Sequence, residues 1–216
     1  KAIKIQPENT TILNNLGTAY RELGDIEKAT TFYQKVLGIN SNHTNANYNL
    51  GLIFYGLKEL KRAKEYLEKT VKIQPNYAFA HYSLGNLQKE LNELKQAKES
   101  YLKAIKIRPS FASAQNNLGL VFSNIGDRDS AMECYKKALE IDPKHAGAYN
   151  NLGRLYTETG ELEKAIESHK VAIKLEPQNL VHTYYLSELD KNFLNSEVKN
   201  KTEKILNNKE TYRINL

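Results

Sequence analysis

A 34-residue period runs through most of this chain and limits what it can fold into. Leu-Gly pairs recur at this spacing, with their leucines at Leu16, Leu50, Leu84, Leu118 and Leu152. Twelve residues after each glycine stands an alanine, at Ala29, Ala63, Ala97, Ala131 and Ala165. A proline then ends four of the units, at Pro75, Pro109, Pro143 and Pro177. Such self-similarity predicts a stack of small units, each packed against its neighbours and not around one central core.

Residues 112–145 indicate what one unit consists of. Apolar residues recur at helical spacing in its first half, at Ala114, Leu118, Val121, Phe122 and Ile125. Gly126 can adopt the left-handed conformation that ends a helix, and Asp127 can cap the next one. A second apolar stripe runs from Ala131 to Ile141, and Pro143 disfavours helical geometry just before it. The unit is therefore predicted to be two amphipathic helices joined by a tight turn.

These markers resemble the tetratricopeptide repeat (TPR) family over residues 10–179. The resemblance implies an all-α fold, a right-handed α-solenoid of 34-residue helix-turn-helix units whose first helices line a concave inner surface. The five predicted repeats are 10–43, 44–77, 78–111, 112–145 and 146–179. Residues 1–9 match the end of a preceding repeat, so we expect the chain to be part of a longer protein. Residues 180–216 are predicted to form a partial sixth repeat and a C-terminal capping helix, the latter through Leu194, Val198, Ile205 and Leu206.

Small residues in the repeat are expected to have packing roles. We interpret the glycine of each Leu-Gly pair and the alanine of the second helix as allowing two helix backbones to approach closely. The turn between the two helices has glycine in repeats one, four and five, Asn92 in the third and Lys58 in the second. Asparagine tolerates the left-handed conformation, whereas lysine does so poorly. The second repeat is therefore predicted to have the least regular turn.

Composition and charge exclude several classes of protein. Apolar residues make up 40% of the chain and charged residues 26%, and no run approaches the ~18 apolar residues of a membrane helix. No signal peptide is visible. The net charge of +6 is spread over lysines interleaved with acidic residues, whereas nucleic-acid binding requires a continuous basic stripe. We therefore predict a cytoplasmic protein that binds neither nucleic acid nor a membrane.

No catalytic or metal-binding pattern is present in the sequence. The single cysteine, Cys134, lies on an apolar helical stripe and is interpreted as a packing residue. The five histidines have no ligand spacing, and His43 and His145 occupy the same loop position of different repeats. Neither a phosphate-binding loop nor a dinucleotide-binding motif occurs. The chain is predicted not to be an enzyme and to need no cofactor or metal.

Candidate binding residues follow from the TPR resemblance, since ligand peptides of such proteins lie along the first helices. The residue before each repeat leucine is Asn15, Asn49, Ser83, Asn117 or Asn151. An amide offers both a donor and an acceptor, so such a row can pair with the backbone of an extended peptide. This row resembles the asparagine ladder in the TPR superhelix of O-GlcNAc transferase; alternatively, the asparagines support helix packing. Further predicted binding residues on the same face are Asn14, Tyr48, Tyr82, Asn86, Asn116, Asn150 and Arg154.

Two functions remain open from the sequence. The first is a protein-protein interaction scaffold that binds an extended peptide segment in the concave groove. The second is the substrate-recruiting arm of a larger transferase, either of the O-GlcNAc type or a sulfotransferase, whose catalytic domain lies outside this chain. Residues 182–195 resemble the joint between TPR arrays and sulfotransferase domains. Self-association through residues 1–9 or through the concave face is a third possibility. The paired Lys and Arg that clamp chaperone C-termini are absent, since their slots hold Asn14, Thr18, Asn49, Phe79 and Ser83.

Overall fold

Eleven α-helices, and no strand, occupy the part of the chain that the computed structural model describes. That part is residues 8–189, with side chains described to residue 187. The helices are α1 (Thr10–Glu22), α2 (Ile26–Ile39), α3 (Thr44–Gly56), α4 (Leu60–Ile73), α5 (Ala78–Glu90), α6 (Leu94–Ile107), α7 (Ala112–Asn124), α8 (Arg128–Ile141), α9 (Ala146–Thr159), α10 (Leu162–Leu175) and α11 (Leu180–Leu189). The predicted end of a preceding repeat and the predicted C-terminal capping helix lie outside the described residues, apart from residues 8 and 9.

The helices stack in chain order, as the repeat pattern predicts. Each odd-numbered helix from α1 to α9 packs most extensively against the even-numbered helix that follows it, and each even-numbered helix also contacts the next odd-numbered one. Successive odd-numbered helices touch as well, α1 with α3 and α3 with α5. The all-α solenoid predicted from the sequence is confirmed. None of the helices in residues 8–189 is long and apolar enough to cross a membrane.

The glycine of each Leu-Gly pair makes room for a side chain of the second helix. A Cβ on Gly119 would lie only 2.6 Å from a ring carbon of Tyr135, and one on Gly17 would lie 2.7 Å from Tyr33. The tyrosine rings are buried, and the five repeat alanines are fully buried beside them. The expectation that glycine brings two backbones together is met at Gly51, where Leu67 N would lie 3.4 Å from a Cβ, but at Gly17 and Gly119 the three nearest atoms belong to a tyrosine ring. The close neighbour is an aromatic ring, which needs the space that a β-carbon would fill.

Two repeats fill the same space with a different side chain. Leu67 approaches the position of a Cβ on Gly51 to 2.9 Å, and the ring of His169 approaches that on Gly153 to 2.8 Å. His169 is fully buried and stacks on Tyr185 of α11, with ring centroids 5.6 Å apart. The glycine is therefore needed in every repeat, whatever the residue opposite it.

The turn of the second repeat has the same geometry as the others. Lys58 has φ +61° and Asn92 has φ +59°, close to the +80° to +82° of the turn glycines. The backbone hydrogen bond from Glu59 N to Phe54 O, 2.9 Å, has its equivalent in the bond from Asp127 N to Phe122 O, also 2.9 Å. The prediction of an irregular turn at Lys58 is wrong, because the packing of the flanking helices imposes the left-handed conformation on a residue that disfavours it.

Candidate peptide-binding surface

The predicted binding residues all lie on the five odd-numbered helices from α1 to α9. We call them together the first-helix face: Asn14, Asn15, Tyr48, Asn49, Tyr82, Ser83, Asn86, Asn116, Asn117, Asn150, Asn151 and Arg154. Their burial is uneven. Asn15 is exposed, the side chains of Asn14, Ser83, Asn116 and Asn150 are buried, and the rest are half-buried. The face is therefore partly a packing layer and partly an accessible surface.

A network of hydrogen-bonded amides joins the third, fourth and fifth repeats. Asn117 Nδ2 donates to Asn86 Oδ1 at 2.8 Å and to Tyr82 Oη at 3.2 Å. Asn116 Nδ2 donates to Asn117 Oδ1 at 3.1 Å, and Asn151 Nδ2 donates to Asn116 Oδ1 at 2.9 Å. We call these five residues the amide network. It crosses two repeat junctions without interruption.

The second helix of the third repeat holds one end of this network. Tyr101 Oη donates to Asn86 Oδ1 at 2.7 Å. Burial raises the pKa of the Tyr101 phenol, so the hydroxyl keeps the proton that it donates. The same kind of contact recurs in the first repeat, where Thr18 Oγ1 and Tyr33 Oη are 3.0 Å apart. The ring that packs against the repeat glycine thus also positions polar groups on the first helix.

Contacts between neighbouring repeats continue toward the N-terminus. Arg21 Nη1 donates to Asn49 Oδ1 at 2.8 Å, which links α1 to α3. A hydrogen bond of 3.3 Å joins Tyr48 Oη and Ser83 Oγ, which links α3 to α5. The five residues that precede the repeat leucines form the predicted amide row: Asn15, Asn49, Ser83, Asn117 and Asn151. All of them except Asn15 therefore contact the preceding repeat. This is what the packing alternative requires of them.

Hydrogen-bonding capacity remains at particular points of the row. Asn117 donates both of its amide hydrogens within the protein. Among the described residues, in contrast, the amide nitrogen of Asn49, the amide oxygen of Asn151 and both polar atoms of Asn15 have no hydrogen-bond partner. These three side chains therefore keep polar atoms that the contacts between repeats do not use.

Aromatic side chains border this row, and they include residues that sequence reasoning missed. Tyr77 lies 4.9 Å from Tyr48 between ring centroids, Phe111 lies 4.8 Å from Tyr82, and Phe79 lies 5.3 Å from Phe111. The contacts join Phe79, Tyr82 and Phe111 into one group, which we call the aromatic cluster, while Tyr48 and Tyr77 form a separate pair. Phe79 is 45% exposed, so part of its ring is open to a partner. The cluster offers an apolar contact beside the amides.

The two residues that sequence reasoning missed, Tyr77 and Phe111, are the N-cap residues of α5 and α7. Their aromatic type at a position that favours a capping side chain could have identified them from the sequence. At the equivalent position of other repeats, Asn9 Oδ1 accepts a hydrogen bond from Ile12 N, His43 Nδ1 from Ala46 N and His145 Nδ1 from Ala148 N. The two aromatic residues make no side-chain cap on α5 and α7. An aromatic side chain in place of a cap indicates a packing role that outweighs capping.

Two cations of this region lie over aromatic rings. The Arg108 guanidinium carbon is 5.2 Å from the Phe79 ring centroid and 5.3 Å from that of Phe111. The Arg154 guanidinium lies over Tyr185 of α11, 5.3 Å from its centroid. Such contacts hold a guanidinium in place and leave its donors available. Arg108 therefore extends the aromatic cluster with a cationic edge.

Other reactive groups of the described residues have structural surroundings. Burial raises the pKa of the Cys134 thiol to about 11, so the sulfur is a poor nucleophile at neutral pH. No three His, Cys, Asp or Glu side chains within residues 8–189 are grouped so that they could hold a metal ion. The chemistry that this surface offers is therefore hydrogen bonding and apolar contact.

Comparison with known proteins identifies the repeats. Family models described as tetratricopeptide repeat match residues 11–43, 44–77, 112–145 and 134–167, and one described as TPR repeat matches 85–126. The crystal structure of MamA protein is 31% identical, with a TM-score of 0.69 over 80% of this chain and 94% of that one. YrrB, described as a TPR protein with an unusual peptide-binding site, is 26% identical, with a TM-score of 0.70 over 85% of this chain and 94% of its own. The uncharacterised protein ycf37 of Pyropia yezoensis is 43% identical over 47 residues, which are 22% of this chain and 26% of that protein.

Proposed function

The chain belongs to the tetratricopeptide repeat family, and from that premise we propose that it is a non-catalytic scaffold that binds an extended peptide segment along the first-helix face. Proteins of this family generally act through protein contacts, and the similar structure YrrB is described as having a peptide-binding site. The occupant is a segment of a partner protein, with its backbone along the amide row and an apolar side chain against the aromatic cluster.

The main support for this proposal is that Asn15, Asn49 and Asn151 have amide atoms without a hydrogen-bond partner among the described residues. An extended peptide presents its N–H and C=O groups on alternate sides, and an amide can bond to either. Each such bond contributes a net ~0.5–1.5 kcal/mol, so three of them give modest affinity and little selectivity for side chains. Contact with the exposed Phe79 ring adds apolar burial at about 25 cal/mol per Å². The expected ligand is bound weakly and recognised mainly by its backbone.

Replacing the three available asparagines tests this proposal. The Asn15→Ala, Asn49→Ala, Asn151→Ala triple variant keeps the bonds of Asn117 but removes the Arg21–Asn49 and Asn116–Asn151 contacts between repeats, so thermal melts compare its stability with that of the wild type. We expect peptides captured by the wild-type protein on an array of 12-residue sequences to bind this variant at least tenfold more weakly in fluorescence polarisation. Circular dichroism should give the wild-type helix content.

A matched control replaces amides that lie elsewhere. Gln34, Gln96 and Asn124 are exposed, and their triple alanine variant should bind the captured peptides with wild-type affinity. If the Asn15→Ala, Asn49→Ala, Asn151→Ala variant binds the peptides as tightly as the wild-type protein does, the proposal is wrong and the asparagines have a packing role alone.

A second candidate is the substrate-recruiting arm of a larger transferase, of the O-GlcNAc type or a sulfotransferase. Asparagine at four of the five positions of the amide row favours it. A gene that encodes a catalytic domain after Leu216 would support this candidate, and a stop codon soon after Leu216 would support the scaffold alone.

Self-association through residues 1–9 or the first-helix face, and a cytoplasmic location, also stay predictions. Light scattering at several concentrations tests the first, since a mass that rises with concentration requires contact between copies. Cell fractionation tests the second.

A further inference from the structure

A concave surface lies at the junction of repeats two and three, between the C-terminal ends of α4 and α6. It is a cleft of about 640 Å³, lined by Val71, Lys72, Pro75, Asn76, His81, Lys103, Lys106 and Ile107. We call it the lysine cleft. Its volume falls in the range of about 300–1,000 Å³ that is typical of ligand pockets. No residue of the first-helix face lines it, so a ligand here would not compete for the amide row.

The apolar part of the cleft comes from three residues. Val71 and Ile107 belong to the last turns of α4 and α6, and Pro75 lies in the loop after α4. Ile107 is 37% exposed. His81 fixes the loop, because its Nε2 lies 2.9 Å from the Pro75 carbonyl oxygen and donates to it. This hydrogen bond from α5 fixes the position of Pro75 in the apolar floor.

Three lysines surround this floor: Lys72 on α4, and Lys103 and Lys106 on α6. All three are exposed. No acidic residue lines the cleft, and none of the three lysines has an ion-pair partner among residues 8–187. The carbonyl ends of α4 and α6 each contribute about half a negative charge, so the cleft keeps a positive surplus.

The full set of three lysines occurs at this junction, whereas each neighbouring junction has lysine at only two of the three equivalent positions, Lys69 and Lys72 before it and Lys106 and Lys137 after it. At the preceding junction, Gly38 occupies the position 34 residues before the first lysine of the cleft. At the following junction, Glu140 stands 34 residues after the third lysine, and Lys137 is already paired with Glu133 at 2.6 Å. Repetition of the TPR unit alone therefore does not explain three unpaired lysines around an apolar floor.

We propose that the lysine cleft binds an acidic segment of a partner protein, with one large apolar side chain seated on the Val71, Pro75 and Ile107 floor and flanking carboxylates paired with the lysines. Charge complementarity selects this occupant. Residues 1–7 and 191–216 of this sequence do not match it, because the first contain two lysines and no acid and the second contain six basic and three acidic residues. Both binding and its on-rate should fall with rising salt.

A labelled acidic peptide tests the proposal directly. The probe is fluorescein-Gly-Glu-Asp-Leu-Glu-Asp-Gly, titrated with the whole chain by fluorescence polarisation at 20 and at 200 mM NaCl. We expect saturable binding that weakens at the higher salt. In the Lys72→Gln, Lys106→Gln double variant the Kd should rise at least tenfold. Replacing the leucine of the probe with serine should also raise the Kd several-fold.

The two helices of the cleft supply a matched control. Lys61 and Lys95 lie at the N-terminal ends of α4 and α6, are exposed, and are 34 residues apart as Lys72 and Lys106 are. The Lys61→Gln, Lys95→Gln variant changes the net charge equally and should bind within twofold of the wild-type Kd. Thermal melts of both variants check that the fold is kept, and Lys103→Gln serves as a second cleft variant.

Several outcomes would overturn this inference. Absence of saturable binding to the wild-type chain, or equal weakening in the cleft and control variants, would assign the lysines to general surface charge. Unchanged binding of the serine probe would remove the apolar seat. Loss of binding in the Asn15, Asn49 and Asn151 triple variant, but not in the cleft variant, would place the acidic peptide on the first-helix face.

Discussion

At the scale of single residues, glycine has two opposite roles in this repeat. Gly119 leaves no room for a β-carbon, because one would lie 2.6 Å from the buried Tyr135 ring, whereas nothing lies within 4 Å of a Cβ on Gly38. We expect Gly119→Ala to lower the free energy of unfolding by about 1–3 kcal/mol through overpacking. Gly38→Ala should raise it by about 0.5–1 kcal/mol, because alanine is the better helix former. Urea denaturation of both variants measures the difference, and a loss of stability in the second would contradict it.

The turn lysine of the second repeat is the other residue with a clear conformational cost. Lys58 has φ +61° and forms an ion pair with Glu90 at 2.8 Å, with 71% of the lysine side chain exposed. The left-handed conformation costs a non-glycine residue roughly 1–2 kcal/mol, and an exposed ion pair is worth about 0.2–1 kcal/mol. Lys58→Gly should therefore stabilise the protein by about 0.5–1 kcal/mol. Asn92→Gly, the matched control, should gain less, since asparagine already tolerates this conformation. A lower melting temperature for Lys58→Gly would show that the ion pair outweighs the turn.

At the scale of helices, the contact of α10 with α11 depends on a buried histidine. Burial lowers the pKa of His169 to about 4, with further lowering by His182 and Arg154, and neither ring nitrogen has a hydrogen-bond partner among the described residues. His182 Nε2 does not bond to His169 and instead lies 3.1 Å from Glu176 Oε2. Because the ring binds its proton near pH 6.5 when unfolded and only near pH 4 when folded, its neutral form supports folding above pH 6.5. That support is lost as the pH falls from 6.5 to 4.

The pH dependence of stability tests this assignment. Between pH 7 and 4.5 we expect the wild-type free energy of unfolding to fall by about 2–3 kcal/mol through this one group. His169→Tyr, which restores the residue found in repeats one, three and four, should show a shallower fall. Parallel curves for the two proteins would mean that other groups control the acid response.

The helices also show what the sequence could predict. Apolar periodicity and the turn residues predicted two helices in each unit, and ten helices lie between Thr10 and Leu175. The sequence could not predict how one substitution inside a repeat is matched by another. Gln88 replaces the aromatic residue that pairs across the unit elsewhere, as Phe54 does with Tyr66. Its Oε1 instead accepts a 2.7 Å hydrogen bond from Ser100 Oγ, a pairing that depends on distances the 34-residue spacing does not fix.

At the scale of the whole molecule, stability is a sum of units and of the interfaces between them. The amide network ties repeats three to five together through side chains, and the Arg21–Asn49 contact ties one to two. The sequence predicted that these amides share one face, through their common position in the repeat. The sequence could not show which amides bond to a neighbouring repeat, because that depends on whether a donor or acceptor of the next helix comes within about 3 Å. In the structure, Asn15, Asn49 and Asn151 keep polar atoms that have no hydrogen-bond partner among the described residues.

Hydrogen exchange of the whole chain with and without a captured array peptide tests the central proposal most directly. An extended segment lying along the first-helix face should slow amide exchange in α1, α3, α5, α7 and α9, with the even-numbered helices unchanged. Protection confined to the even-numbered helices, or no protection at a saturating peptide concentration, would contradict the account.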